Sequence, residues 1–189
     1  MAVKVYFGVP GSGKTTYAAK VAKRCNKKKI RCFANFPCKN TYYYNANDLG
    51  SFDISNCVLI IDEASIDFNN RAYKSLPQKT ITYLKYYRHY GVKDIYIFSQ
   101  SFDDMDITLR RLATEYYLVT KAGLWFIRVK QAVKKIAIDK ETHQFIDAYT
   151  WRIRLPEFVF GPFYWKMFDS WDAPRLPMKD FPYNSGNKK

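Results

Sequence analysis

Long apolar runs, paired cysteines, histidine and acidic residues are all scarce in this chain, and each shortage removes a class of function. No stretch approaches the roughly 18 to 20 consecutive apolar residues that cross a bilayer. The longest clean run is Val58 to Ile61, and the apolar region from Phe158 to Phe168 is broken by Gly161, Pro162 and Lys166. The chain as given is therefore not expected to span a membrane. Cys25, Cys32, Cys38 and Cys57 form no C-x-x-C pair, and His89 and His143 are the only histidines, so a zinc-ligand spacing is missing. The N-terminus lacks a secretory apolar core, so the thiols are expected to be reduced, mostly small core residues, in a cytosolic setting. Only 17 Asp+Glu oppose 31 Lys+Arg, a formal net charge of +14. That excess favours phosphate-rich partners or an anionic membrane face without choosing between them.

What is present is enough for one folded unit: 189 residues, 48% hydrophobic and 25% charged. Val3 to Phe7 is a short apolar run ended by a glycine-rich turn, the pattern of a buried strand. From Lys14 the positions Tyr17, Ala18, Val21, Ala22 and Cys25 recur at helical spacing, and the cations up to Lys29 suit the negative end of the helix dipole. Further strands are expected at Arg31 to Phe36, Cys57 to Ile61, Asp94 to Phe98 and Glu115 to Thr120, with helices at Leu76 to Tyr90 and Asp103 to Leu112. Strands alternating with helices imply a parallel sheet. Beyond residue 122 the period changes to two: Leu124, Phe126, Arg128 and Lys130 share one side, and Trp125, Ile127 and Val129 the other. A second such run, Trp151 to Leu155, completes an antiparallel extension with a basic face carrying Arg128, Lys130, Arg152 and Arg154. The expected organisation is an α/β core over 1–122, the extension with an aromatic and proline-rich tail over 123–183 in the same domain, and a flexible end at 184–189.

Residues 8–15 read Gly8-Val9-Pro10-Gly11-Ser12-Gly13-Lys14-Thr15, with Thr16 next. This is the G-x-x-x-x-G-K-[ST] phosphate loop, placed between a strand and a helix as its mechanism requires. Backbone N–H groups at a helix N-terminus surround an anion, and the glycines permit close approach. The expected fold class is thus the P-loop NTPase fold: a mostly parallel central sheet flanked by helices, plus the C-terminal antiparallel extension. Lys14 is expected on the β- and γ-phosphates of ATP, Thr15 on Mg²⁺ and Thr16 near the α-phosphate. Val58 to Ile61 runs directly into Asp62 and Glu63, which would bring Asp62 to the Mg²⁺ shell and Glu63 to an attacking water. A water-activating acid favours hydrolysis over phosphoryl transfer to a second substrate. Gln100 follows the fourth strand, where its amide either orients that water or caps a turn. Arg110 and Arg111 either include an arginine finger that enters a neighbouring subunit's site, which requires a homo-oligomer such as a ring, or form surface ion pairs. The aromatic groups Tyr83, Tyr86, Tyr87 and Tyr90, with Arg88 and His89, and Tyr42 to Tyr44 serve either core packing or base stacking.

With the P-loop, Asp62-Glu63, Tyr87-Arg88-His89-Tyr90-Gly91, Phe98-Ser99-Gln100 and Asp106 to Arg111 in view, the chain resembles the zonula occludens toxin family, which includes the filamentous-phage assembly ATPases. The resemblance extends to the aromatic Phe163 to Asp172 region, which looks like the close of that family's ATPase domain. It implies a motor in the host cytoplasm, at the inner membrane, that uses ATP to extrude single-stranded phage DNA alongside phage assembly or coat proteins. Members usually continue into a transmembrane helix, a segment absent from this chain. Competing expectations are a DNA-packaging or helicase-like translocase, and a binding module in which nucleotide only switches affinity for nucleic acid.

Overall fold

The computed structural model describes residues 1–45, 48–62, 78–100, 105, 107–138, 145–153 and 155–169. Nine described strands form one sheet: β1 (Ala2–Phe7), β2 (Arg31–Ala34), β3 (Tyr42–Tyr43), β4 (Cys57–Ile61), β5 (Asp94–Ser99), β6 (Glu115–Lys121), β7 (Phe126–Ile138), β8 (Phe145–Trp151) and β9 (Glu157–Phe160). The helices are α1 (Lys14–Lys27), α2 (Gln78–Lys85) and α3 (Ile107–Leu112). The sheet order is β3-β2-β4-β5-β1-β6-β7-β8, with β9 also paired to β7. From β3 to β6 every pairing is parallel, and from β6 onward every pairing is antiparallel.

Strand alternation sorts the core onto two faces. Val3, Val5, Leu59, Ile61, Ile95, Ile97 and Tyr116 face α2 and α3, where Tyr83, Leu84 and Leu109 pack on them. Tyr6, Cys32, Ala34, Val58, Ile60, Tyr96 and Phe98 face α1, whose Tyr17, Ala18, Val21, Ala22 and Cys25 form the stripe read from the sequence. Small residues on α1 bring it close to the sheet, and the space left beside them is filled by aromatics. Tyr6 lies with its ring centroid 4.8 Å from Tyr17, 5.0 Å from Phe98 and 4.6 Å from Tyr117. Burial pushes the Tyr6 phenol well above its ordinary pKa, so it stays neutral and behaves as a core ring. Cys25, Cys32 and Cys57 are buried free thiols, as expected of small core residues, and Cys38 is partly buried.

Several boundaries differ from the expectation. The helix expected to reach Tyr90 is described as α2 and ends at Lys85; turns then run to Gly91, whose φ of +70° reverses the chain into β5. Tyr83 and Tyr87 are buried and serve packing, whereas Tyr86 and Tyr90 are exposed. Tyr42 and Tyr43 form the exposed edge strand β3, while Tyr44 is buried and donates its hydroxyl to the Ile60 carbonyl at 3.2 Å. The Trp151 to Leu155 strand is a correction: β8 ends at Trp151, and the chain re-enters the sheet at Glu157 as β9. Pro156 has no N–H to give a ladder, which separates the two strands. The start of the Asp103 to Leu112 helix, Arg154 and the tail from 170 to 189 lie outside the described residues.

Candidate functional site

The parallel ladder determines where chemistry gathers. β1 pairs with β5 from Ala2↔Asp94 to Phe7↔Ser99, and β5 pairs with β4 up to Ile97↔Ile61. Three strands therefore end along one edge, and β5 is interposed between the loop after β1 and the acid after β4. Gln100, one residue past β5, emerges between them and is exposed. A cavity of about 550 Å³ opens at this edge, with Gly11, Gly13, Lys14, Thr15, Asp62 and Gln100 among its lining residues. Pro10 and Thr16 line it as well.

The loop owes its shape to its glycines. Gly11 and Gly13 adopt φ of +72° and +100°, and Ser12 N–H donates to the Val9 carbonyl at 3.1 Å. Gly8 lies against the Val119 carbonyl and the Ser12 side chain, where a Cβ would collide. Gly13 lies against the Ile127 methyl, so β7 presses on the loop from the extension side. Ser12, Lys14 and Thr16 are buried polar residues. The Lys14 Nζ donates to the Gly8 carbonyl at 2.9 Å and the Val9 carbonyl at 3.2 Å, so its ammonium is curled over the loop. α1 begins at Lys14 with no acidic residue in its first turn, leaving the positive end of its dipole to an anion.

The Thr15 hydroxyl donates to Asp62 Oδ2 at 2.9 Å. Hydroxyl and carboxylate oxygens held at this separation are the donor set that suits Mg²⁺, a hard cation bound by oxygen. Asn35, which the sequence reading passed over, holds Asp62 in place: the Asp62 N–H donates to Asn35 Oδ1 at 2.7 Å, and Asn35 Nδ2 donates to the Asp62 carbonyl at 2.8 Å. The signal was an amide directly after a strand that pairs with the Asp62 strand. Cys38 reports on the same acid, since burial first and the Asp62 charge second push its thiol up to about 11.

The structure thus brings Lys14, Thr15, Asp62 and Gln100 into one cavity with Pro10, Gly11, Gly13 and Thr16, whereas Gly8 and Ser12 are not in its lining. Glu63 lies outside the described residues. Arg110 and Arg111 stand in the last turn of α3 and are absent from the cavity lining; Arg110 is partly buried and Arg111 exposed. On the extension, Arg128 is exposed and Lys130 lies 4.7 Å from the Trp151 ring. Arg152 departs from that face: its guanidinium donates to Gln131 Oε1 at 3.1 Å, one pleat away from Lys130.

This sheet order, with a phosphate loop after β1 and an acid after β4, defines a P-loop NTPase fold. The sequence model of the zonular occludens toxin (Zot) family matches residues 36–161, more than half of the chain, and the chain belongs to that family. The matched span begins after the phosphate loop. Among solved structures, the N-terminal domain of zonular occludens toxin from Neisseria meningitidis superposes with a TM-score of 0.58 at 18% identity, covering 89% of this chain and 98% of that one. The genome packaging NTPase B204 from Sulfolobus turreted icosahedral virus 2, in complex with ATP-gammaS, follows with a TM-score of 0.49, 15% identity and coverage of 77% and 95%. The flagellar accessory protein FlaH from Methanocaldococcus jannaschii gives 0.48, 11% identity and coverage of 78% and 89%. No curated protein sequence matches the chain.

Gly13→Ala tests the loop packing. The added methyl meets Ile127 and strains a positive φ, so the variant is expected to lose roughly 1–3 kcal/mol of stability in denaturant titrations. Ile127→Ala should relieve the steric part, so that the double variant loses less than the two single losses added together. Strict additivity would show that Ile127 does not confine the loop.

Proposed function

We propose that this protein is an ATP-hydrolysing motor for filamentous phage morphogenesis, driving extrusion of single-stranded phage DNA at the host inner membrane. The observation that carries the reading is the convergence of Gly11, Gly13, Lys14 and Thr15 of the phosphate loop with Asp62 in one cavity. Family membership and a fold shared with the Neisseria Zot domain support it.

The residues divide the work as follows. Loop N–H groups and the start of α1 bind the phosphates, and Lys14 exchanges the Gly8 and Val9 carbonyls for the β- and γ-phosphate oxygens. Thr15 and Asp62 would hold Mg²⁺, which supplies charge neutralisation at the β- and γ-oxygens. Glu63, next to Asp62 in sequence, accepts a proton from water as its oxygen bonds to the γ-phosphorus, and the bond to the β–γ bridging oxygen breaks to leave ADP and phosphate. Gln100 orients that water.

Lys14→Ala is expected to abolish nucleotide binding measured by titration, while Glu63→Gln binds ATP near normally and hydrolyses it at least about a hundredfold more slowly. Wild-type turnover in Glu63→Gln would remove Glu63 from the mechanism. Steady turnover in the wild type separates a motor from a switch that nucleotide merely occupies.

The partner is single-stranded DNA, and the exposed face of β7 and β9 is suited to it: Phe126, Arg128 and Phe158 are exposed beside Lys130 and Trp151. Binding should be weak, sequence-independent and steeply weakened by salt. Replacing both Arg128 and Lys130 with Ala should lower the slope of log affinity against log salt by roughly one per lost phosphate contact. Salt-insensitive binding would turn the +14 charge toward an anionic membrane instead.

The active form is a homo-oligomer in which Arg110, or failing that Arg111, supplies a cation to the neighbouring subunit's γ-phosphate. An Arg110→Ala, Arg111→Ala double variant should be nearly inactive alone and regain turnover when mixed with Lys14→Ala protein, because mixed interfaces pair an intact loop with an intact finger. A double variant with full activity would leave both arginines as surface charges worth under about 1 kcal/mol.

A further inference from the structure

The cavity that holds the phosphate loop is also lined by aromatic and ring side chains: Phe36, Pro37, Trp165 and Phe168. These come from two distant parts of the chain. Phe36 and Pro37 follow β2, while Trp165 and Phe168 belong to the turns after β9. The chain is tied across the site to hold them together. Lys39 N–H donates to the Met167 carbonyl at 2.8 Å, and Cys38 and Phe168 form a β-bridge. At the other end the Gly161 N–H donates to the Trp125 carbonyl at 2.7 Å. Between these anchors, Met167 is buried in the α1-side core and Lys23 of α1 stands 5.3 Å from the Tyr164 ring. The strap therefore passes across α1 and presents its rings to the cavity.

Trp165 is the conspicuous member. Its indole is stacked on Trp125 with centroids 5.9 Å apart, and Gly161 runs so close beneath it that a Cβ there would lie 2.8 Å from Nε1. It is held on both of these sides, yet 45% of it stays exposed, and it lines the cavity. A large apolar ring immobilised and left open beside a phosphate cradle has no packing purpose that fuller burial would not serve better. Thr16, the residue expected near the α-phosphate, lines the same cavity as these rings. Asp169, also in the lining, has carboxylate oxygens that can accept from a ribose hydroxyl or an exocyclic amine.

We infer that the strap builds the nucleobase subsite of the P-loop cavity, with Trp165 as the stacking residue, so that the ligand is a nucleoside phosphate and not an inorganic polyphosphate. The inference rests on the nucleotide reading of the phosphate loop and extends it to the other end of the ligand. Because every base offers a π-face, the subsite takes purines in general and depends little on their edge groups.

The test compares Mg²⁺-ADP, Mg²⁺-GDP and Mg²⁺-tripolyphosphate by calorimetric titration against the wild type, Trp165→Ala and Trp165→Phe, with a thermal melt of each protein. Stacking on an aromatic side chain predicts that Trp165→Ala weakens both nucleotides about tenfold to a hundredfold. Tripolyphosphate should bind all three proteins alike, and Trp165→Phe should recover most of the lost nucleotide affinity. Equal weakening of tripolyphosphate and nucleotide in Trp165→Ala would make Trp165 a structural support and overturn the subsite. Unchanged ADP binding in Trp165→Ala would overturn it too. Those two failures leave the phosphate loop intact as a nucleotide site. A wild type that binds neither ADP nor tripolyphosphate sinks the nucleotide reading, and the base subsite with it.

Discussion

Parallel pairing of β1, β5 and β4 is the constraint on which the rest of the molecule depends. Because the three strands run in the same direction with matched ends, the phosphate loop, Gln100 and Asp62 leave the sheet along a single edge. No side chain has to reach across the fold to join them. The insertion of β5 between the other two sets the separation of loop and acid, which the Thr15–Asp62 hydrogen bond then spans at 2.9 Å. Moving any of these strands by one residue would exchange its two faces, sending aliphatic side chains into the aromatic layer under α1 and the rings of β1 and β5 into the layer under α2 and α3, so the packing pattern that stabilises the sheet also maintains the geometry of the site.

The two sides of the sheet contribute differently. The face toward α2 and α3 is mostly aliphatic, with Val3, Val5, Leu59, Ile61, Ile95 and Ile97 along its centre. The α1 face is rich in aromatics, because alanines at positions 18, 19 and 22 of α1 leave room for Tyr6, Tyr17, Tyr96 and Phe98. Tightly packed rings at the base of α1 hold the helix that closes the phosphate loop. That rigidity suits a site in which the backbone itself supplies the donors.

Much of this was legible in the sequence because its causes are local. The strand before the loop, the stripe on α1 and the apolar run into Asp62 each satisfy a period that burial imposes. The features that were missed have causes elsewhere in the chain. Tyr42–Tyr43 is a strand only because β2 lies beside it, and Glu157–Phe160 only because β7 offers an edge. Asn35 gains its role from β2 pairing with β4, which no spacing near Asn35 reveals. Trp165 and Phe36 lie far apart in sequence and line one cavity because the Cys38–Phe168 bridge and the Lys39–Met167 hydrogen bond tie their segments together. Arg152 was placed without the strand register: Trp151 pairs with Ala132 and shares the Lys130 face, so alternation turns Arg152 to the other side, beside Gln131.

The contact between Ile127 and Gly13 joins two parts of the molecule that the sequence separates by more than a hundred residues. β7 is the longest strand described, paired along one edge to β6 and along the other to β8 and β9. Close-packed interiors transmit strain with little give. A change in the curvature of that loop therefore alters the space open to Ile127, so the extension and the phosphate loop cannot repack independently of one another.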